Sequence, residues 1–257
     1  MEEETPAVTE EETPTVTTTP EVGRGPRTLA IDIGASGLKA SVLNARGRML
    51  SERVRIKTPR PCPPRVMVRS LVELVADLPE SERVSVGFPG YVRRGRVLTA
   101  PNLGTDEWKG FRLADVLARR LGKPVRLVND ADMQGLAAMQ GKGVELVVTL
   151  GTGVGTALFE DGRLLPHLEI SQQPIWKDET YDQYIGDAAR KRIGKKKWNE
   201  RVRRALNQMR VLINFDKLHI GGGNAKRLTF ELDHDMRIVS NRAGILGGVK
   251  LWRTQDG

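Results

Sequence analysis

The chain has 257 residues, 39% of them apolar and 28% charged, with a formal net charge of +9 and one cysteine. That length can bury one large core or two smaller ones, and the balance is ordinary for a soluble globular protein. A lone cysteine excludes an internal disulfide and a cysteine-rich zinc centre. Apolar runs such as VELVVTL fall far short of the roughly 20 residues of a membrane helix.

The charge is unevenly divided. Residues 1–26 hold seven Glu and one Arg, so they carry −6 and leave +15 on the rest. Thr, Pro and Glu dominate this segment, which is too poor in apolar residues to order itself and reads as a disordered acidic tail. It lacks the basic head and apolar stretch of a secretion signal, which predicts a cytoplasmic location and no membrane partner. The positive body predicts a polyanionic partner. The excess peaks at residues 190–204, RKRIGKKKWNERVRR, where nine of fifteen are Lys or Arg. This run reads either as a solvated helical face or as a track for a polyanion. Trp198 is its only aromatic residue, too few for base stacking on a single strand.

After the tail, TLAIDIG reads as a buried strand, with LKASVLN and RMLSERVRIKT as its hairpin partners and NARG as the second turn. PRVMVRSLVELVADL has helical spacing, RVSVGFPG is a strand ending in a Pro-Gly turn, and GFRLADVLARRLG is a helix stopped by glycine. PVRLVND is a strand and ADMQGLAAMQGKG the helix after it. The pattern then restarts with VELVVTLGTGVGTALFEDGRLLP. IGASGLKASVLNARGRML matches LGTGVGTALFEDGRLL in strand, small-residue turn, second strand and a Gly-Arg that opens the third. The two glycine turns lie about 118 residues apart, too far for a solenoid repeat. An internal duplication of two α/β domains facing across a cleft follows. Residues 27–131 would form the small lobe, completed by a C-terminal helix over 242–253, and residues 132–241 the large lobe.

Gly, Ser and Thr in both turns let backbone N–H groups approach one ligand, and a phosphate is the natural candidate. Gly34, Ser36 and Gly37 belong to the first turn and Gly151, Thr152 and Gly153 to the second, with Lys39 close enough to neutralise phosphate oxygens. Asp32 borders the first turn. Bound phosphate would repel it unless a cation stood between them, so it is the candidate ligand of Mg²⁺. NDAD sits where a strand meets a helix. There Asp130 is either a helix N-cap or a carboxylate placed to take a proton from a substrate hydroxyl, with Asn129 orienting that hydroxyl. PHLEI places Glu169 in a predicted strand. HIGGGN, with Gly221, Gly222 and Gly223, precedes a predicted helix and admits a flat ligand or a phosphate. His167, His219 and His234 lack metal-ligand spacing and receive no role.

DIGASGLK, FPGYV, NDAD, TLGTGVGTALF, GRLLPHLE, HIGGG and the terminal AGILGG, in this order over roughly residues 28–252, resemble the ROK family of sugar kinases, closest to its polyphosphate-glucokinase branch. The resemblance implies a two-lobed actin-like (ribonuclease H-like) ATPase fold and a homodimer. It implies that Asp130 is the catalytic base, that Asn102, Asn129 and Glu169 contact the sugar, and that Gly221–Gly223 lie near a nucleotide when one is used. Gln172 stands where the family usually has a sugar-contacting His, and it can hydrogen-bond but not become cationic. The expected activity is Mg²⁺-dependent transfer of phosphate to the 6-hydroxyl of glucose, with polyphosphate, ATP or both as donor. Two readings compete: an ATP-dependent hexose kinase, and a non-catalytic sugar-binding or regulatory protein. Against the regulator, the segment before TLAIDIG is acidic, the wrong charge for DNA, and no nucleic-acid partner is expected.

Overall fold

The computed structural model describes residues 25–104, 106–240 and 243–253. The acidic tail, apart from its last two residues, and position 242 of the C-terminal helix lie outside them. TLAI opens β1 (Thr28–Ile33), buried throughout except at Asp32, and LKASVL returns antiparallel as β2 (Leu38–Leu43). The predicted third strand is reduced to β3 (Val54–Ile56), with Met49 meeting Leu43 in a single bridge before it. α1 (Pro64–Val75) begins with proline, tolerated where a helix has no use for the N–H. Then come β4 (Arg83–Phe88), the hairpin β5 (Val92–Arg93) and β6 (Arg96–Val97), and α2 (Leu113–Leu121). Gly122 ends α2 in the left-handed conformation, φ 65°. β7 (Val125–Asn129) runs directly into α3 (Asp130–Ala138). The first sheet has the order β3-β2-β1-β4-β7, in which β1, β4 and β7 are parallel.

The second half repeats this plan. β8 (Val144–Leu150), β9 (Val154–Glu160) and β10 (Arg163–Leu164) form an antiparallel meander. The hairpin β11 (Pro174–Trp176) and β12 (Glu179–Thr180) precedes α4 (Tyr181–Ile185), α5 (Asp187–Ile193) and α6 (Lys195–Ile213). β13 (Lys217–Gly221) and β14 (Met236–Ile238) complete the order β10-β9-β8-β13-β14, with β8, β13 and β14 parallel. The two sheets share one topology, so the sequence duplication is a duplication of fold.

α7 (Ala243–Lys250) lies on β1 and β4, α3 lies on β9, and the two helices pack on each other between the sheets. Small residues make this contact close. A Cβ on Gly247 would stand 1.6 Å from the Met133 carbonyl oxygen, and one on Gly135 2.5 Å from the Phe159 ring. Apolar cores flank the pair: Leu29, Ile31, Phe88 and Trp108 on one side, Leu146, Trp198, Leu206 and Ile220 on the other. Among the described residues no helix is long and apolar enough to cross a membrane.

Three local expectations are corrected. Glu169 is not in a strand. The last pairing of this segment is Leu165 N–H to Leu158 O, after which Pro166 has no N–H to continue the ladder. The chain instead tightens into a 3₁₀ turn, Ile170–Gln172. HIGGGN precedes only a 3₁₀ turn, Ala225–Arg227. The basic run is split by Gly194, at φ 79°, between α5 and α6. Arg190 and Lys191 pair with Asp187, Arg192 and Arg201 pair with Glu179, and Trp198 is fully buried, donating to the Ile185 carbonyl.

Candidate active site

Residues of both halves line one cleft of about 600 Å³. Its floor is the junction of β7 and α3. Asn129, not Asp130, caps the helix: its Oδ1 accepts the Ala131 N–H at 2.7 Å, while its Nδ2 donates to the Gly90 carbonyl at 3.0 Å. Asp130 is thereby released from capping and faces the cleft. Its carboxyl is pushed up to about 7, by burial first and then by the negative charge of Asp32, against the hydrogen bond from Ala131 N–H. A carboxylate titrating near neutrality suits a general base.

The two glycine turns are built alike. Gly34 N–H bonds the Gly37 carbonyl at 3.0 Å, and Gly151 N–H bonds the Gly153 carbonyl at 2.9 Å. In each turn the first two carbonyls are tied back. The Thr58 hydroxyl donates to Gly34 O at 2.6 Å and Arg60 to Ala35 O at 3.1 Å. Asn224 donates to Gly151 O at 3.2 Å, and the Asp187 N–H donates to Thr152 O at 3.1 Å. In a trans peptide the N–H points opposite to the C=O. Holding these carbonyls back therefore presents the N–H groups of Ala35 and Ser36, and of Thr152 and Gly153, on the other side. All four residues line the cleft.

Lys39 pairs with Asp32 at 2.7 Å, and Arg53 and Arg55, both exposed, join the cleft wall beside Gly37. Asp182 backs the second turn, accepting the Val154 N–H at 2.6 Å and the Gln172 Nε2–H at 3.2 Å. Burial raises its pKa against those bonds. His167 and Glu169 form the opposite wall. The His167 Nδ1–H donates to Asp132 at 3.1 Å, and the Ser171 hydroxyl donates to Glu169 Oε1 at 2.6 Å. Burial works against the charge of His167, but the hydrogen bond to Asp132 and the negative charge of the nearby Glu169 carboxylate outweigh it and push its pKa up to about 9.

Among the described residues, three buried side-chain atoms have no hydrogen-bond partner: Gln134 Nε2, His167 Nε2 and Glu169 Oε2. All three residues line this cleft. Leaving a buried polar group unpaired costs about 1–3 kcal/mol, and three in one place mark a site completed by a ligand.

Of the sequence candidates, Asp32, Gly34, Ser36, Gly37, Lys39, Asn102, Asn129, Asp130, Gly151, Thr152, Gly153, Glu169, Gly222 and Gly223 line the cleft. Gln172 and Gly221 do not. Gln172 is exposed and turned to Ser171 and Asp182, while Gly221 backs onto Gln134, where a Cβ would meet Nε2 at 2.4 Å. None of the nine basic residues of 190–204 lines it either. Sequence reasoning missed Arg53, Arg55, Gln134, Ser171, Asp182, Asp187 and Asn224, and it gave His167 no role. Asn224 closes the quoted HIGGGN, and Gln134 lies one helical turn beyond Asp130, so these two carried a positional signal. The others carried none.

The ROK family model matches residues 28–166. The polyphosphate glucokinase of Mycobacterium tuberculosis is 29% identical over 225 residues, 84% of this chain and 83% of that protein. The inorganic polyphosphate/ATP-glucomannokinase of Arthrobacter sp. strain KM superposes with a TM-score of 0.81 at 30% identity, covering 89% of this chain and 99% of that one. A ROK family glucokinase from Streptomyces griseus, solved with glucose and AMPPNP, gives 0.72 at 20% identity over 88% and 98% of the two chains. The two-lobed duplicated fold is the one these structures share.

Proposed function

The chain belongs to the ROK family, and we propose that it is a sugar kinase that transfers a phosphoryl group to the 6-hydroxyl of glucose, with inorganic polyphosphate as donor. The observation that carries this reading is the pair of equivalent turns. Both hold their carbonyls back and face one cleft whose floor is Asp130. Backbone N–H groups presented from two sides suit a phosphoryl group that must be gripped while its charge is shared out.

In the reaction the sugar oxygen bonds the terminal phosphorus, its proton passes to Asp130, and the bond from phosphorus to the donor's bridging oxygen breaks. The shortened polyphosphate leaves. Asn129 uses one amide proton on Gly90 and keeps another for the sugar. Such a transfer needs alignment and charge neutralisation more than covalent help. Mg²⁺ would supply part of that neutralisation. Asp32 would hold it, directly or through water, with the oxygen that Lys39 leaves free. Among the described residues no cage of three or more ligating side chains is formed, which fits an ion held mainly by phosphate and water.

Two features favour polyphosphate: the similarity to the polyphosphate glucokinase of Mycobacterium tuberculosis, and the +15 body with Arg53 and Arg55 on the cleft. A second reading, ATP as donor, draws support from Gly222 and Gly223 on the same wall. The test measures initial rates with glucose and Mg²⁺ against polyphosphate alone, ATP alone, and both together. Turnover from polyphosphate that ATP competes with supports the main reading. Turnover from ATP only replaces it with the second.

A further inference from the structure

Of the three buried atoms without a partner on the cleft, His167 Nε2 and Glu169 Oε2 lie 3.7 Å apart on one wall. The third, Gln134 Nε2, belongs to a different element. Gln134 lies on α3 one helical turn after Asp130, so the two side chains share a face of that helix. No step of the transfer uses it. Its amide is pressed against Gly221, the last residue of β13, where a Cβ would stand 2.4 Å from Gln134 Nε2 and 3.2 Å from its Cδ. The first glycine of HIGGGN therefore leaves the space that the amide fills, and Gln134 rather than Gly221 reaches the cleft.

This corner belongs to the second glycine turn. Gly221 pairs with Thr149, two residues before Gly151 on β8. The start of α3 packs on the same hairpin, since a Cβ on Gly155 would stand 2.8 Å from the Ala131 Cβ. Gln134 thus joins the helix of Asp130 to the strands that carry Gly151–Gly153. The corner is furnished with hydrogen-bond donors. An amide nitrogen gives two protons and accepts none. On the neighbouring strand Thr149 Oγ1 accepts the Gly155 N–H at 3.1 Å and has its own proton to give. A phosphate oxygen, which accepts and cannot donate, is the ligand atom that matches.

We propose that Gln134 is a donor-binding residue whose Nε2–H hydrogen-bonds a phosphate oxygen of the phosphoryl donor, beside the second glycine turn and one turn of α3 from the base. The proposal rests on the sugar-kinase reading and adds to it a side chain on the donor's side of the cleft. A neutral group suits the place. An amide can share the charge of the phosphate without pulling down the pKa of Asp130, as a lysine one helical turn away would. Gly221 is a positioning residue that acts through the amide.

The test compares the full chain with Gln134→Ala, Gln134→Met and Gln134→Glu. Rates are measured with polyphosphate varied at saturating glucose and with glucose varied at saturating polyphosphate, and thermal unfolding checks the fold. Calorimetry measures the affinity for tripolyphosphate in the absence of sugar. Gln134→Ala and Gln134→Met should lower kcat/KM for polyphosphate by about 10- to 100-fold, the scale of a lost hydrogen bond to a charged group. Both should weaken tripolyphosphate binding and leave the glucose KM unchanged. Gln134→Glu sets a negative oxygen where the N–H stood and should lose more than either. Gly221→Ala should lower the same kcat/KM in wild type but add little to Gln134→Ala, as expected of a glycine that acts through the amide. A raised glucose KM with unchanged kcat/KM for polyphosphate, a Gln134→Glu that matches wild type, or variants that all match it would overturn the assignment. Should Gln134→Ala fail to fold, Gln134→Met and Gln134→Glu decide. If wild type turns over neither polyphosphate nor ATP, the kinase reading fails, and the assignment of Gln134 then stands or falls on tripolyphosphate binding alone.

Discussion

Replacing Asp130 by Asn should sharply slow turnover and yet stabilise the fold, with the stabilisation depending on pH in a definite direction. The carboxyl of Asp130 titrates at about 7 in the folded chain, chiefly through burial and then through Asp32, against an ordinary value of 3.8. Below 3.8 the group is neutral in both folded and unfolded states, and Asp130 costs no more than Asn. As pH rises the unfolded chain ionises first, so stability falls progressively until the folded group also ionises at about 7, and the full penalty persists above that. Three units correspond to about 4 kcal/mol as an upper bound, and about 1–2 kcal/mol once solvent in the open cleft screens the charge. For a chain of this size that is a rise in Tm of about 3–6 °C in Asp130→Asn at pH 8, shrinking towards zero near pH 4. In the same protein kcat should drop by about 10²- to 10⁴-fold, the range for loss of a general base. Wild-type kcat/KM should climb with pH through about 7 as the base loses its proton. Calorimetry and rate measurements across pH 4–9 check both halves. A variant less stable than wild type at pH 8, or a Tm difference independent of pH, would refute the reasoning.

Reversing the charge at Arg53 and Arg55 should raise KM for polyphosphate far more than KM for glucose, and should flatten its salt dependence. The same change at Lys195, Lys196 and Lys197, which do not line the cleft, should have the smaller effect on the polyphosphate KM, as steady-state kinetics at several ionic strengths would show. Asn224→Ala frees the Gly151 carbonyl, and should raise the donor KM several-fold while leaving the glucose KM unchanged. Gly247→Ala forces a methyl to 1.6 Å from the Met133 carbonyl oxygen. It should cost about 2–4 kcal/mol, seen as a Tm drop of several degrees. Gly104→Ala, with no neighbour within 4 Å but a φ of +76°, should cost only about 1 kcal/mol.

Much of this was legible in the chain. β1, β2, β4, β7, β8 and β9 announced themselves because buried strands leave short continuous apolar runs, and the repeated glycine turn tied the halves together, whereas the three-residue β14 left no such run. NDAD located the floor of the cleft, although it is Asn129 that caps α3 and so frees Asp130. Glu169 was misplaced in a strand because HLEI alternates like one, whereas Pro166 interrupts the ladder and Leu168 is left 45% exposed. His167 stood inside the quoted PHLEI and was passed over for want of metal-ligand spacing, whereas Asp182 and Asp187 were not legible as site residues, since nothing near them in sequence marks them. They reach the cleft only when the second half folds back through α4 and α5. Gln172 was singled out by its place in a motif, but the 3₁₀ turn directs it to Ser171 and Asp182. The basic run at 190–204 drew attention by composition alone, and ion pairs to Asp187 and Glu179 absorb four of its nine charges.

The most direct measurement is product analysis after incubating the full chain with glucose, Mg²⁺ and polyphosphate of defined length, alongside 6-deoxyglucose and the Asp130→Asn variant. The account predicts glucose 6-phosphate from glucose, no product from 6-deoxyglucose, and loss of product in the variant. Product formed from 6-deoxyglucose, undiminished turnover in Asp130→Asn, or no sugar phosphate with either polyphosphate or ATP would contradict it.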